Sequence, residues 1–417
     1  MSLYEKDSIV ALATPRGVGA LAIIRVSGSS LDSLFKSLTR INKINPRYAY
    51  YRPLVSVGGE VLDRSIITFY RGPFSFTGED VFEISCHGGD VVSKNIINDL
   101  IERGCRYAGP GEFSRRAFLN GKINLSEAEA INSIINSQSK AGAQKGLMEL
   151  EGAANNHLVQ IKTSLVNLLT IIEHELDFVE REIEETSSRS FKEKINECLD
   201  LINKVIEGSL VGNKLKHGFR VALVGPPNAG KSSLFNALLG YEHAIISSEK
   251  GTTRDALEVF VEIKGLPVIL IDTAGHWSGK DKLDALGIKK TDKIIQNADI
   301  LVAIDEKDPK KFIKSFSTNK KPVVFVASKA DIKSPLDTNS KFINISSIKN
   351  TNISLLLTEL STVIKNSFFR EDVFLCTSRQ VVLIKKVRDS LLALIKDFSD
   401  LDLVERAFIL RSGADLM

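Results

Sequence analysis

Residues 220–240, RVALVGPPNAGKSSLFNALLG, decide the fold of the central part of this chain. Within them, Gly225-Pro-Pro-Asn-Ala-Gly230-Lys231-Ser232 has the spacing Gly-x4-Gly-Lys-Ser/Thr, which follows an apolar strand and opens a helix. The chemistry explains the spacing. Glycines let main-chain N–H groups turn inward around phosphate oxygens, and the helix N-terminus adds partial positive charge. Lys231 reaches the terminal phosphates and the Ser232 hydroxyl ligates Mg²⁺.

Working outward, the runs VFVEIKG, PVILIDT, ADILVAID, KPVVFVAS and FINIS alternate with helical or loop stretches. Such alternation predicts a mostly parallel sheet with helices on both faces. Three further elements follow in the order a GTPase requires. Gly251-Thr252-Thr253-Arg254-Asp255 offers the Thr253 hydroxyl to Mg²⁺. Asp272-Thr273-Ala274-Gly275 ends a strand, so that Asp272 holds a magnesium-bound water and the Gly275 N–H senses the γ-phosphate. Ser328-Lys329-Ala330-Asp331 ends another strand; the Asp331 carboxylate accepts both N–H donors of guanine's pyrimidine edge, which adenine does not offer. Ser346-Ser347 supplies backbone contacts to the base. With Asn228, Ala229, Gly230, Lys231, Ser232 and Ser233, these residues form the expected GTP site. Ser328 stands where Asn is usual, at a cost of ~1 kcal/mol in one hydrogen bond.

Towards the N-terminus, IVALATP, ALAIIRVSG, SIITFYRGP and VFEISCHGG read as strands, and VVSKNIINDLIERG as a helix closed by Gly104, giving an α+β unit. Ser126 and Glu129 have capping-box spacing and predict a helix start. From Leu147 to Ile183 apolar residues recur every three or four positions, predicting one long amphipathic helix. After about residue 370 the spacing turns helical again (VVLIKKVRDSLLALI), so the α/β unit reads as inserted in a split helical domain. The expected division is 1–120 (N-terminal α+β), 121–214 (helical, first part), 215–368 (GTPase) and 369–417 (helical, second part).

Composition sets the class. Of 417 residues 43% are hydrophobic and 25% charged, an ordinary globular profile. No run of about 18 apolar residues predicts a membrane span, and the first residues lack a signal peptide's layout. The cysteines Cys86, Cys105, Cys198 and Cys376 form no CxxC pair. A reduced, cytoplasmic protein is the expectation. The net charge of +4 and pI near 8.6 are compatible with RNA contact without deciding it.

PFSFTGEDVFEISCHGG (73–89), GPGEFSRRAFLNGKINLSEAEAI (109–131) and IVALATPRGVGALAIIRVSG, together with the GTTRD stretch, closely resemble the signatures of the MnmE (also TrmE) family of tRNA modification GTPases. The similarity runs from residue 8 to about 380. It implies a homodimer through the N-terminal domains, a 5-formyltetrahydrofolate-type site there, and an MnmG-type FAD protein as partner in a heterotetramer. Together they would add an aminomethyl or carboxymethylaminomethyl group to C5 of the wobble uridine of certain tRNAs. Motif matching carries folate contacts to Arg25, Glu83 and Lys122; the competing reading of each is a structural salt bridge. It carries a K⁺ site to Asn228, Ser247, Glu249 and Thr252, the cation offsetting charge between the β- and γ-phosphates.

The chain also departs from the family. Asp284 stands for the water-orienting Glu, with a stem one methylene shorter and a reach about 1 Å less. His276, directly after the Asp272–Gly275 motif, either helps Asp284 orient the attacking water or is an exposed histidine without a role. The sequence stops at Arg411-Ser-Gly-Ala-Asp-Leu-Met417 without the family's Cys-x-Gly-Lys tail, so GTP binding is expected to survive while tRNA modification by this chain alone is in doubt. Alternatives are a non-catalytic GTP- and folate-binding scaffold and a ribosome-assembly GTPase.

Overall fold

Alternating apolar residues in the first 110 positions build one sheet. A computed structural model describes residues 7–177, 185–241, 257–273, 285–314, 321–332, 342–369, 376–398 and 400–417. The chain forms two compact units, Met1–Ala128 and Glu129–Met417. The first contains β1 (Ile9–Leu12), β2 (Leu21–Gly28), α1 (Asp32–Thr39), β3 (Ala49–Val55), β4 (Val61–Tyr70), β5 (Asp80–His87), α2 (Asp90–Glu102), β6 (Arg106–Tyr107) and α3 (Glu112–Leu119), and α4 (Leu125–Ile135) begins at its end. The sheet order is β3-β4-β5-β2-β1-β6, antiparallel except for the β1–β6 pair. Ile24, Val26, Ile67, Phe69, Phe82 and Ile84 face one side and bury against Phe35 and Leu38 of α1 and Ile96 and Leu100 of α2. The opposite face carries Arg25, Glu83 and Ile66, a one-sided burial common in antiparallel sheets.

The second unit continues with α5 (Lys140–Leu150), α6 (Ala153–Asp177), α7 (Glu185–His217), β7 (Phe219–Val224), α8 (Lys231–Tyr241), β8 (Leu257–Ile263), β9 (Leu266–Asp272), α9 (Ala285–Asn297), β10 (Ile300–Asp305), α10 (Pro309–Ile313), β11 (Val323–Ala327), β12 (Ile343–Asn344), α11 (Ile353–Phe368), α12 (Ser378–Lys396) and α13 (Leu403–Leu416). Its sheet runs β12-β11-β10-β7-β9-β8, parallel except for β8 against β9. The β8–β9 hairpin turns on Lys264 and Gly265, both at positive φ, which suits the twist of the strands it joins. Leu234, Phe235 and Leu238 of α8 and Leu356, Leu360 and Ile364 of α11 cover one face. Ile295 of α9 and Ile313 of α10 cover the other, which is why these strands read as unbroken apolar runs.

Helices on either side of that sheet in the sequence share one core. Ile161, Leu165, Leu168 and Ile172 of α6 pack with Ile195 and Ile202 of α7, Ile384, Val387, Leu391 and Leu394 of α12, and Leu410 of α13. The expected classes are therefore present: an N-terminal α+β domain, a split helical part and an inserted mostly parallel sheet. Within unit two, α5 is tied to the hairpin turn, for the Ala141 N–H donates to the Gly265 carbonyl at 3.1 Å and the Lys140 N–H to Glu262 at 2.9 Å.

Three local readings change. The apolar pattern from Leu147 to Ile183 is not one helix: α5 ends at Leu150 and Gly152 breaks the chain at φ 84, a conformation that costs glycine little. The three-and-four spacing runs across the break, although Leu147 before it is exposed while Ile161 and Leu165 after it are buried; Ile183 lies outside the described residues. The capping box is formed by Asn124 and Glu127, which exchange hydrogen bonds of 2.8 and 2.7 Å, rather than by Ser126 and Glu129. Glu129 instead meets Arg379 at 3.1 Å. Strand β3 was not foreseen, since Pro53 interrupts its pattern; it lies at the sheet edge, where a missing N–H is tolerated. The four cysteines are buried and unpaired, and burial pushes their thiols up to about 11. No helix among the described residues is long and apolar enough to cross a membrane.

Candidate nucleotide site and N-terminal ion pair

The phosphate loop leaves β7 at Gly225, where a Cβ would stand 2.1 Å from the Ile304 carbonyl oxygen. Only glycine lets the loop pass that close to β10. Asn228 (φ 63) and Gly230 (φ 89) then turn the chain through the left-handed region into α8, whose first bond runs from the Leu234 N–H to the Gly230 carbonyl at 2.9 Å. Lys231 is 3% exposed and donates to the Gly225 and Pro226 carbonyls at 2.9 and 2.8 Å. An ammonium has three donors, so one remains for a phosphate oxygen. Burial pushes this ammonium down from its ordinary value, with the charge of Asp272 acting against that. Ser232 and Ser233 are exposed in the first turn of α8.

Asp272 ends β9 in register with Leu223 of β7, and Thr273 donates its hydroxyl to the Leu223 carbonyl at 2.7 Å. Asp272 is 4% exposed, so a carboxylate is held beside the loop that carries Lys231. Among the described residues no group of three or more His, Cys, Asp or Glu is arranged to hold a metal ion by itself. An exposed serine hydroxyl and one neighbouring carboxylate are all-oxygen donors that suit Mg²⁺, which usually takes few protein ligands besides phosphates and water. Asn228 is the described member of the expected K⁺ set. Ser247, Glu249, Gly251, Thr252, Thr253, Ala274, Gly275, His276 and Asp284 lie outside the described residues.

The expected base-binding loops are joined. The Ala330 N–H donates to the Ile345 carbonyl at 2.9 Å, and the Ser328 N–H to the Asp305 carbonyl at 3.0 Å. Asp331 accepts from the buried Ser346 hydroxyl, which holds its carboxyl below the ordinary range. Ser347 follows, half-buried. Ser328 Cβ lies 3.7 Å from where a Cβ on Gly230 would stand, so the base loop abuts the phosphate loop. The Ser328 hydroxyl oxygen is buried and makes no hydrogen bond among the described residues. Lys329 pairs with Glu306, a residue the sequence reading missed because it follows β10 outside any motif.

In the first unit, Arg25 and Glu83 stand opposite one another on β2 and β5 and form an ion pair, with Nε at 2.8 Å and Nη2 at 2.7 Å from Oε1. The Arg25 guanidinium lies over Phe76 and Phe113, 5.2 and 5.8 Å from their centroids. Lys122 is exposed and lies against the turn at Gly78, two residues from Phe76. Behind this surface Arg116, 2% exposed, reaches Asp7 at 2.6 Å, Glu112 at 3.0 Å and Glu79 at 3.1 Å. Sequence reading did not single it out.

The family model for the GTP-binding protein TrmE N-terminus matches residues 8–122, and that for the MnmE helical domain matches residues 125–415. The tRNA modification GTPase MnmE of Flavobacterium johnsoniae is 39% identical over 374 residues, covering 85% of this chain and 79% of that one. The chain belongs to the MnmE family of tRNA modification GTPases. The MnmE of Aliarcobacter butzleri is 34% identical over 392 residues (92% and 87%), and that of Aquifex aeolicus 33% over 407 residues (95% and 91%). Among solved structures, the G domain of the T. maritima FeoB iron transporter matches 35% of this chain and 98% of its own at 23% identity, with a TM-score of 0.28. That likeness is too slight to argue from. Of the residues the sequence motifs pointed to for nucleotide, the structure describes 228–233, Asp272, Thr273, Ser328, Lys329, Asp331, Ser346 and Ser347.

Proposed function

We propose that this chain binds GTP between the 225–233 loop and the 328–331 and 346–347 loops and hydrolyses it in support of tRNA modification. The observation that carries this reading is Lys231, anchored on two loop carbonyls beside buried Asp272. Main-chain amides from Asn228 to Ser233 wrap the phosphates; Ser232 and Thr253 would hold a Mg²⁺, with Asp272 placed to hold a water on it, and the ion would neutralise charge on the phosphates. Asp331 selects guanine through two accepted hydrogen bonds. Asn228, Ser247, Glu249 and Thr252 would hold a K⁺, which would supply positive charge to offset that developing on the phosphates. Asp284, with His276 beside the Asp272–Gly275 motif, positions the attacking water.

GTP turnover in turn serves addition of an aminomethyl or carboxymethylaminomethyl group at C5 of the wobble uridine, with an MnmG-type FAD protein as partner. The chain acts as a homodimer with a 5-formyltetrahydrofolate-type ligand on Arg25, Glu83 and Lys122. For that role the Arg25–Glu83 pair must open or share its hydrogen bonds, because Glu83 already accepts from Arg25. The test is mass spectrometry of tRNA nucleosides from cells with and without this chain. Loss of the C5-modified wobble uridine with the gene, and its return with wild type but not with Lys231→Ala, supports the reading. An unchanged nucleoside profile overturns it.

A further inference from the structure

A cavity of about 490 Å³ opens in the first unit between β1, the loop after it and α2. It lies within the range of about 300–1,000 Å³ typical of small-ligand sites. Its apolar floor includes Leu12 and Ile97, and its rim carries Arg16, Asp90, Lys94 and Tyr107. None of the residues assigned above to nucleotide or folate lines it.

Two features make this rim more than a set of surface charges. Arg16, Lys94 and Asp90 make no ion pair or side-chain hydrogen bond among the described residues, whereas nearby Arg106, Arg116 and Glu112 are all paired. The loop that bears Arg16 is also fixed. The Ala13 N–H donates to Ile23 at 2.7 Å, the Gly88 N–H donates to Ala20 at 3.0 Å, and a Cβ on Gly88 would meet the Gly19 carbonyl at 2.2 Å. Arg16 therefore projects from a loop held at both ends. Across the cavity, α2 starts after Gly89 without a side-chain cap, so its first N–H groups add to the cationic side. Tyr107 presents an aromatic ring that is 53% exposed.

We propose that this cavity seats one unstacked nucleotide of an RNA strand. The base lies against Tyr107 and the apolar floor, since an exposed aromatic is a stacking face any base can use. The phosphate sits on Arg16, Lys94 and the uncapped turn of α2. Asp90 accepts from a ribose hydroxyl or a base N–H, a role a carboxylate can fill without touching the phosphate. The inference rests on the tRNA-modifying role proposed above and names where the RNA is gripped.

The experiment titrates a fluorescent tRNA anticodon stem-loop into the full-length chain at several salt concentrations. The proteins are wild type, Arg16→Ala/Lys94→Ala, Tyr107→Ala and Tyr107→Phe; all three sites are on the surface, so folding is not at stake. The double variant should bind roughly ten-fold more weakly at low salt and lose about two from the slope of log K against log[salt]. Tyr107→Ala should weaken binding roughly ten-fold without changing that slope, and Tyr107→Phe should bind as wild type. GTP turnover should be the same in all four. Wild type that binds the stem-loop while every variant binds it equally, with one slope, overturns the site alone. Wild type that binds no RNA overturns the proposed function as well.

Discussion

Replacing Arg116 with alanine tests whether the N-terminal unit is organised around one buried guanidinium. Arg116 is 2% exposed and faces Asp7, Glu79 and Glu112, with a further bond to the Asp7 carbonyl at 3.0 Å. Removing one partner of a buried ion pair costs about 3–5 kcal/mol, because the opposite charge stays desolvated. Here the lower end applies. Asp7 and Glu112 retain Arg106, and their side chains are 25% and 14% exposed. Glu79 is left with the Ser27 hydroxyl at 2.7 Å. A loss of about 3 kcal/mol corresponds to roughly 150-fold, at 1.4 kcal/mol per factor of ten. Hydrogen exchange read by mass spectrometry on the full chain should show β2 and β5 amides losing about that much protection, since they open with the unit as a whole. Protection that falls by less than about three-fold would refute the argument that these carboxylates depend on Arg116.

Three more expectations follow from single sites. Arg106 holds the Glu112 carboxyl down at about 2, against an ordinary 4.5. A depressed carboxylate stabilises above its unfolded value and stops doing so as pH falls through the folded one. The stability advantage of wild type over Glu112→Gln should therefore be full above pH 4.5 and fade towards pH 2, as acid titration followed by circular dichroism will show. Gly225→Ala forces a Cβ against the Ile304 carbonyl, so the loop must move by about 1 Å, and GTP turnover should fall about 10²-fold. Ser328→Ala removes a buried hydroxyl that has no partner among the described residues, so the nucleotide-free chain should melt higher, by an amount equivalent to about 1 kcal/mol or more. A lower melting temperature would mean that the hydroxyl is satisfied.

The parts of the fold that were legible in sequence are those with strict spacing. The phosphate loop can be read because Gly225, Gly230 and Lys231 are each fixed by a separate constraint: close approach to Ile304, positive φ and anchoring on carbonyls. The parallel strands can be read because both faces are covered. Edge strand β3 escaped notice because an edge tolerates Pro53, and the break at Gly152 because the apolar spacing is the same on either side of it. Asn124 and Ser126 both fit a cap, and only the geometry distinguishes them. Arg116 and Glu306 were invisible for another reason. Each acts through partners distant in sequence, Asp7 and Glu79 for one and Lys329 for the other, and no local pattern encodes those pairings.

Equilibrium binding of fluorescent GTP and ATP to the purified chain, in buffer with Mg²⁺ and K⁺, tests the central claim most directly. Saturable uptake of one GTP per chain, with ATP bound far more weakly, loss of both with Lys231→Ala, and loss of the guanine preference alone with Asp331→Ala, is the expected result. Uptake that does not saturate, or equal affinity for GTP and ATP in wild type, would contradict it.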